Sequence, residues 1–335
     1  IKRTPRRFSV LAVSVASAVL ASSVAVMIGA SPAAAVITVL VVLAVTGVNR
    51  VHSGFDLPEF YGNAINALVA TVLAGLAYAV ATLVGSPLGE QDFAFIVAGG
   101  IVAMLPGRTM AAAIEDVLFG FPLTGAGRLL SVLVALMGLI IGIGAGLKVM
   151  LWITTVLDTQ FVSPTVLELR TDQGALVTAL LGALFVGLSA AVTVQSRAQL
   201  ILPTGLLSVG AATIGAILQR SLEFGVITAT GFAAIALGAV GRVVAARLRV
   251  PSMVIIVPAS FALLPGLTIF RGLYELVAVG GSSAGSLTIQ SGLTTLLSAG
   301  AVLLAIATGT VFGEILTSRW DTSVRGERPK GSDAG

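Results

Sequence analysis

The sequence has no cysteine, a single histidine and few charges, with Asp, Glu, Lys and Arg making up 10% of its 335 residues. Without cysteine it can form no disulfide and no thiolate site, and cysteine usage says nothing about the redox compartment. With only His52, set in a loop, neither a histidine-rich zinc centre nor a serine-histidine hydrolase is readily assembled. No catalytic residue, metal ligand or cofactor is therefore assigned, and the chain is not expected to be an enzyme. The phosphate-binding pattern Gly-x4-Gly-Lys-Ser/Thr is also missing, since GIGAGLK at 142–148 lacks its spacing. What fills the chain instead is apolar: 56% of residues are hydrophobic and the mean hydropathy is +1.05. A soluble domain carries about a quarter charged residues, so this is an integral membrane protein. Continuous apolar runs of about 20 residues select helices over a barrel, whose strands are shorter and alternate. The pI near 10 does not indicate nucleic acid, because the basic residues are spread between the spans and form no stripe with aromatics. Basic loops at a membrane surface account for it.

Within this background one stretch occurs twice. FAFIVAGGIVAMLPGRTMAAAIED at 93–116 and SMVIIVPASFALLPGLTIFRGLYE at 252–275 superpose without a gap on a shift of 159 residues. Ile96, Ala103, Leu105, Pro106, Gly107 and Thr109 then coincide with Ile255, Ala262, Leu264, Pro265, Gly266 and Thr268. Each copy is an apolar run of 12 or 13 residues, cut by Pro-Gly and followed by an amphipathic segment with a carboxylate at the matching place, Asp116 or Glu275. Neither run crosses a bilayer alone, which takes about 20 helical residues. Paired short, Gly/Pro-interrupted segments in the two halves of a membrane protein point to a transporter's binding site, because a broken helix offers free backbone groups at depth.

The remaining spans follow the same duplication. Lys2, Arg3, Arg6 and Arg7 precede an apolar run over 8–30, longer than a signal-peptide core and followed at once by a second span, so it reads as a crossing. A chain opening on Ile1 instead of Met is expected to have had a segment upstream. Spans over 33–48, 61–84 and 129–149, with the short run at 93–105 as the fourth crossing, complete a first half. Spans over 175–194, 198–218, 224–245, 253–264 and 293–316 repeat the plan. The expected organisation is a basic segment 1–8, a five-helix repeat over 9–158, a second over 159–318 and a disordered polar tail over 319–335. The predicted fold is an all-α integral membrane protein of about ten transmembrane helices. It forms a 5+5 inverted repeat with broken helices at Pro106-Gly107 and Pro265-Gly266, because an odd number of crossings turns the second half over. With a cytoplasmic N-terminus, 15 of the 19 Lys and Arg lie inside, as the positive-inside bias requires. Treating the short runs as re-entrant hairpins would move Arg128, Arg197, Arg242, Arg247 and Arg249 outside. Both termini are thus expected in the cytoplasm, with the Pro106 break near the cytoplasm and the Pro265 break near the outside.

Candidate site residues follow from what a break exposes. Pro-Gly in a buried helix frees carbonyls before it and amides after it, so Pro106, Gly107, Pro265 and Gly266 are assigned to substrate binding. Thr109 and Thr268, two residues past their glycines, would cap the new helix or bond a ligand. Asn63 and Asn66, three apart at the start of the third span, would bond substrate or a neighbouring helix. Intramembrane charge is costly and marks function, so Asp116 and Glu275 are the proton-coupling candidates. Arg108 and Arg271, on the same helical faces, are their charge partners; an interfacial salt bridge is the alternative. Gln195 and Glu314, near span ends, read as solvated. Gly138, Gly142 and Gly146, and Ala301, Ala305, Gly309 and Gly313, recur every four residues and permit close helix approach, within the bundle or between two copies of the chain.

GIVAMLPGRTMAAAIEDVLFGFPLTGAGRL, HSGFDLPEFYGNAI and VPSMVIIVPASFALLPGLTIFRGLYEL resemble the threonine/serine exporter family of prokaryotic carriers over essentially residues 1–318. The resemblance implies a multi-pass plasma-membrane exporter of threonine and serine driven by the proton motive force, with ten helices in two halves. Members usually carry a soluble cytoplasmic domain ahead of the basic stretch, which this sequence does not include. The expected partners are threonine, serine, protons and the lipid bilayer, with alternating access as the mechanism. An exporter of small dicarboxylates and a non-transporting membrane scaffold are the alternatives.

Overall fold

The structure, a computed structural model, describes residues 7–55, 57–85, 88–89, 91–102, 104, 109, 112–113, 116–117, 120–156, 176–278 and 289–321. Among them every regular element is a helix. In chain order these are α1 (Val10–Met27), α2 (Pro32–His52), α3 (Glu59–Leu83), α4 (Asp92–Val102), α5 (Pro122–Val156), α6 (Leu176–Thr193), α7 (Ala198–Arg220) and α8 (Val226–Leu248). They are followed by α9 (Met253–Ala259), a 3-10 turn over Ser260–Leu263, α10 (Gly266–Ala278) and α11 (Ile289–Asp321). Eight of them, all except α4, α9 and α10, are long and apolar enough to cross a membrane. The protein is therefore a multi-pass membrane protein.

Local chemistry sets several ends. Ser9 and Ser31 cap α1 and α2, their hydroxyls accepting from the Ala12 and Ala34 amides at 3.1 and 3.2 Å, and Pro32 takes the first helical position of α2. At Pro265 a helix cannot continue: Leu264 turns extended, with ψ 132°, and α10 starts afresh at Gly266. The second span runs to His52, beyond the expected 48, and the fifth fills 122–156 in place of 129–149. Arg319 lies within α11, whereas the sequence put it in a disordered tail; residues 1–6 and 322–335 lie outside the described residues.

Glycines decide the packing. A methyl group on Gly138 would run into the Phe60 carbonyl, one on Gly142 into the Ala64 carbonyl, and one on Gly146 would come within 2.7 Å of Thr71. Residue numbers rise together on the two helices, so α3 and α5 run parallel in backbone contact. The second half repeats this: Gly309 approaches the Gly231 carbonyl, Gly313 the Ile235 carbonyl and Gly238 the Thr310 carbonyl, making α8 and α11 parallel. The glycine rows are thus buried within the chain. The chain leaves α3 at one end of its pair and enters α5 at the other, so the segment between Leu83 and Pro122 must return across the bundle. The segment between α8 and α11 must do the same.

Between the halves, α1 and α6 pack antiparallel. Gln195, just past α6, pairs with both backbone groups of Phe8, just before α1, at 2.9 and 3.3 Å, while Gly182 near the start of α6 abuts Met27 and Ser23 at the end of α1. The largest core cluster is centred on α4, every residue of which is buried. We expect Gly142→Leu or Gly238→Leu to cost about 2 kcal/mol or more through overpacking against backbone, measured as a lowered melting temperature of the detergent-solubilised protein. Gly210→Leu, which meets nothing within 4 Å of a built Cβ, should leave it unchanged.

Candidate functional site

The site is built where the two short runs end. Asp92 opens α4 and is 3% exposed; its carboxylate accepts from the Ser31 amide at 2.9 Å and the Gly89 amide at 2.8 Å, tying the start of α4 to the turn between α1 and α2. From there α4 runs inward past Ala21, Ala25 and Thr38, which crowd Gly99, and its last residue, Val102, clusters with Leu20 at the middle of α1 and Ala190 of α6. The second break lies at the same depth. Leu263 and Leu264 pack on Ala234, Val302 and Ile306, the last two near the midpoint of α11, and Phe261 joins Val102. A methyl group on Gly266 would strike the Val102 side chain, so the end of α4 meets the Pro265 break at the centre. This corrects the expectation that the Pro265 break lies near the outside. Pro106, Gly107 and Arg108 lie outside the described residues.

The junction is apolar, but hydroxyls and backbone polar groups border it. Ser208 of α7 donates to the Ala259 carbonyl at 2.9 Å, where α9 tightens into the 3-10 turn. Gly187 leaves room for that hydroxyl. Past the break, the Gly266 amide turns back to the Leu264 carbonyl at 2.8 Å, and Thr268 sits half-buried in the first turn of α10. Thr109, its counterpart, is exposed. The two asparagines are engaged between helices: Asn66 donates to Asn49 of α2 at 3.1 Å, and Asn63 reaches the Ala135 carbonyl of α5 at a long 3.5 Å.

Both predicted carboxylates have arginine neighbours, one of them unexpected. Asp116 Oδ2 lies 2.7 Å from Arg128 Nη1, across on α5, and the pair is close in charge but not aligned as a hydrogen bond. The sequence pointed to Arg108 for this role. Glu275 is 4% exposed and does pair with Arg271, whose Nε donates to Oε1 at 2.9 Å, while the Arg271 side chain is 56% exposed. Its other oxygen is 2.9 Å from the Thr295 hydroxyl of α11, which is also 3.0 Å from the Ser291 carbonyl. A hydroxyl carries one proton and two lone pairs. When Glu275 is ionised the hydroxyl donates to it; when Glu275 is protonated the acid donates to the hydroxyl, which turns to Ser291.

Sequence reasoning missed Asp92, Arg128, Thr295 and Glu314. Asp92 and Arg128 flank apolar runs and read as loop charges, and Thr295 carries no local signal. Glu314 stands inside α11, two turns before its end and half-buried, against the Ser252 hydroxyl and the charge of Arg242. The expectation that it is merely solvated fails because α11 continues to Asp321. Among the described residues no group of three or more His, Cys, Asp and Glu is placed to hold a metal.

Comparison with known proteins gives the same two halves. Residues 1–150 match a family described as "Putative threonine/serine exporter", and residues 177–316 one described as "Threonine/Serine exporter, ThrE". The "Probable threonine/serine exporter" of Mycobacterium tuberculosis is 28% identical over 299 residues, covering 89% of this chain and 53% of that protein. The "Threonine/serine exporter" of Corynebacterium glutamicum is 24% identical over 302 residues, covering 90% of this chain and 58% of that protein. The chain thus spans little more than half the length of these curated relatives. No solved structure matches. With both halves matched, in the order that the packing duplicates, the chain belongs to the threonine/serine exporter family.

Proposed function

We propose that the protein is a secondary active transporter that exports threonine and serine from the cytoplasm across a prokaryotic plasma membrane, in antiport with protons. The observation that carries this reading is the meeting of the end of α4 with the Pro265 break near the midpoint of α11, where half-helix ends can hold a zwitterion: amides for the carboxylate, carbonyls for the ammonium. The family membership and the exporter names of its relatives supply the substrate class. Pro265, Gly266 and Thr268, with Pro106, Gly107 and Thr109 on the other half, are the proposed substrate contacts. Asn63 and Asn66 act as helix-fixing residues at their edge.

The proposed topology is ten crossings in a 5+5 inverted repeat, over 9–158 and 159–318, with both termini cytoplasmic. It is supported by the parallel pairs α3/α5 and α8/α11, each of which requires its intervening short segments to cross back. The antiparallel contact of α1 with α6, the first helices of the two halves, and the basic bias toward one side support it too. Access would alternate as the two halves rock and part the Val102–Gly266 contact. Asp116 and Glu275 would carry the coupling protons, near opposite faces. A dicarboxylate exporter would turn arginines toward the centre; Arg271 is instead mostly exposed and committed to Glu275.

In proteoliposomes, an imposed pH gradient should drive threonine efflux. Asp116→Asn or Glu275→Gln should reduce the gradient-driven rate about tenfold or more, about 1.4 kcal/mol in barrier, while threonine exchange persists. A wild-type protein that moves no threonine under any gradient would refute the substrate assignment. A second expectation concerns Thr295. Thr295→Val removes a hydrogen bond to a buried carboxylate and should destabilise the protein by about 1–3 kcal/mol, read as a fall in melting temperature. Thr295→Ser should not.

A further inference from the structure

Glu314 lies inside the apolar span Gln290–Thr317, where a carboxylate is costly unless it is used. Its neighbours come from two other elements: the Arg242 guanidinium from α8 and the Ser252 hydroxyl from the residue that leads into α9. Close passage of α8 along α11 at Gly238 and Gly313 brings Arg242, one turn beyond Gly238, alongside Glu314. At the other end of α11, Glu275 of α10 has the same company, an arginine and a hydroxyl. From Thr295 to Glu314 is 19 residues of one continuous helix, about 28 Å at 1.5 Å per residue and close to the thickness of a bilayer core.

The broken helix is therefore fastened to α11 at both ends, by one carboxylate each. Its two pieces are mechanically separate. α9 is a seven-residue helix carrying Pro258 and passing into a 3-10 turn, and α10 starts anew after Pro265. Loss of the Glu314 cluster would loosen the start of α9, which Ser208 still holds at Ala259, and loss of the Glu275 cluster would loosen α10.

Resting on the exporter reading above, we infer that Glu314, Ser252 and Arg242 form a gate at one end of the substrate path. It is the counterpart of a Glu275, Thr295 and Arg271 gate at the other end, each gate controlling its own half of the broken helix. Under the proposed topology the Glu314 gate faces the cytoplasm.

No cysteine occurs in these 335 residues, which allows a direct test. Ala259→Cys reports on α9 and Ile269→Cys on α10; both parent residues are buried, at 0% and 7% exposure. The two variants are reacted with a membrane-impermeant maleimide applied to each face of membrane vesicles. Glu314→Gln should raise labelling at position 259 about tenfold, a shift of about 1.4 kcal/mol in the open population, from one face only. Labelling at 269 should not change, Glu275→Gln should give the opposite pattern, and Glu314→Asp should fall between wild type and Gln. Equal increases at both reporters would mean general loosening, and no increase at either would mean Glu314 closes nothing; both results overturn the gate. Labelling requires no transported substrate, so failure of the gate is distinguishable from failure of the threonine assignment, which the efflux measurement reads separately.

Discussion

Backbone contact between parallel helices governs the rest of this protein. Where α3 lies on α5, and α8 on α11, glycines let carbonyls of one helix touch the other, at distances any side chain would prevent. In lipid, such packing replaces the hydrophobic effect as the force holding helices together. Its topological consequence is larger than its energy. Two successive long helices that run parallel leave the chain at the wrong face, so something between them must carry it back. In the second half the return is made by the short helix α9, the break at Pro265 and α10; in the first half α4 supplies the described part of it. A break at mid-depth leaves backbone groups unsatisfied, and lipid cannot satisfy them. Packing of the Pro265 break inside the bundle, with Ser208 on the Ala259 carbonyl, follows from that constraint.

Charge is arranged around the same elements. Glu275 is held within α10 by Arg271 and across to α11 by Thr295, whereas Asp116, its counterpart in the repeat, reaches forward to Arg128 on the next long helix. The two halves thus keep a carboxylate at the matching place, each beside an arginine. Asp92 has another task. Both its oxygens are occupied by amides of the turns it joins, which makes it an anchor for α4.

What was legible in the sequence is what is local or periodic. Long apolar runs, the Pro265-Gly266 break, the four-residue glycine spacing and the Arg271–Glu275 pair at i, i+4 are written in consecutive residues, and the described residues contain each of them. Partners contributed by other elements could not be read. Thr295 lies 20 residues from Glu275, and Ser252 lies 62 residues from Glu314; neither spacing has a period to reveal it. The depth of the Pro265 break was misplaced for a related reason. Counting crossings says which face a segment approaches, but only its contacts with Val302 and Ile306 say how far along α11 it lies.

The contact of Val102 with Gly266 ties the end of α4 to the Pro265 break, because the absence of a side chain at 266 is what lets the two elements close on each other. The interface that flanks it on one side, α1 against α6, is lined by small residues, with Gly182 on Ser23 and Met27, and is pinned at one end by the double hydrogen bond of Gln195 to Phe8. A smooth interface pinned at one end favours rotation over separation, and rotation moves the centre less than it moves the free end. In a carrier of the proposed kind, parting the breaks at the centre thus needs a second degree of freedom. The two-piece construction of the α9 to α10 segment, jointed at Pro265 and fastened at each end by its own carboxylate, supplies it.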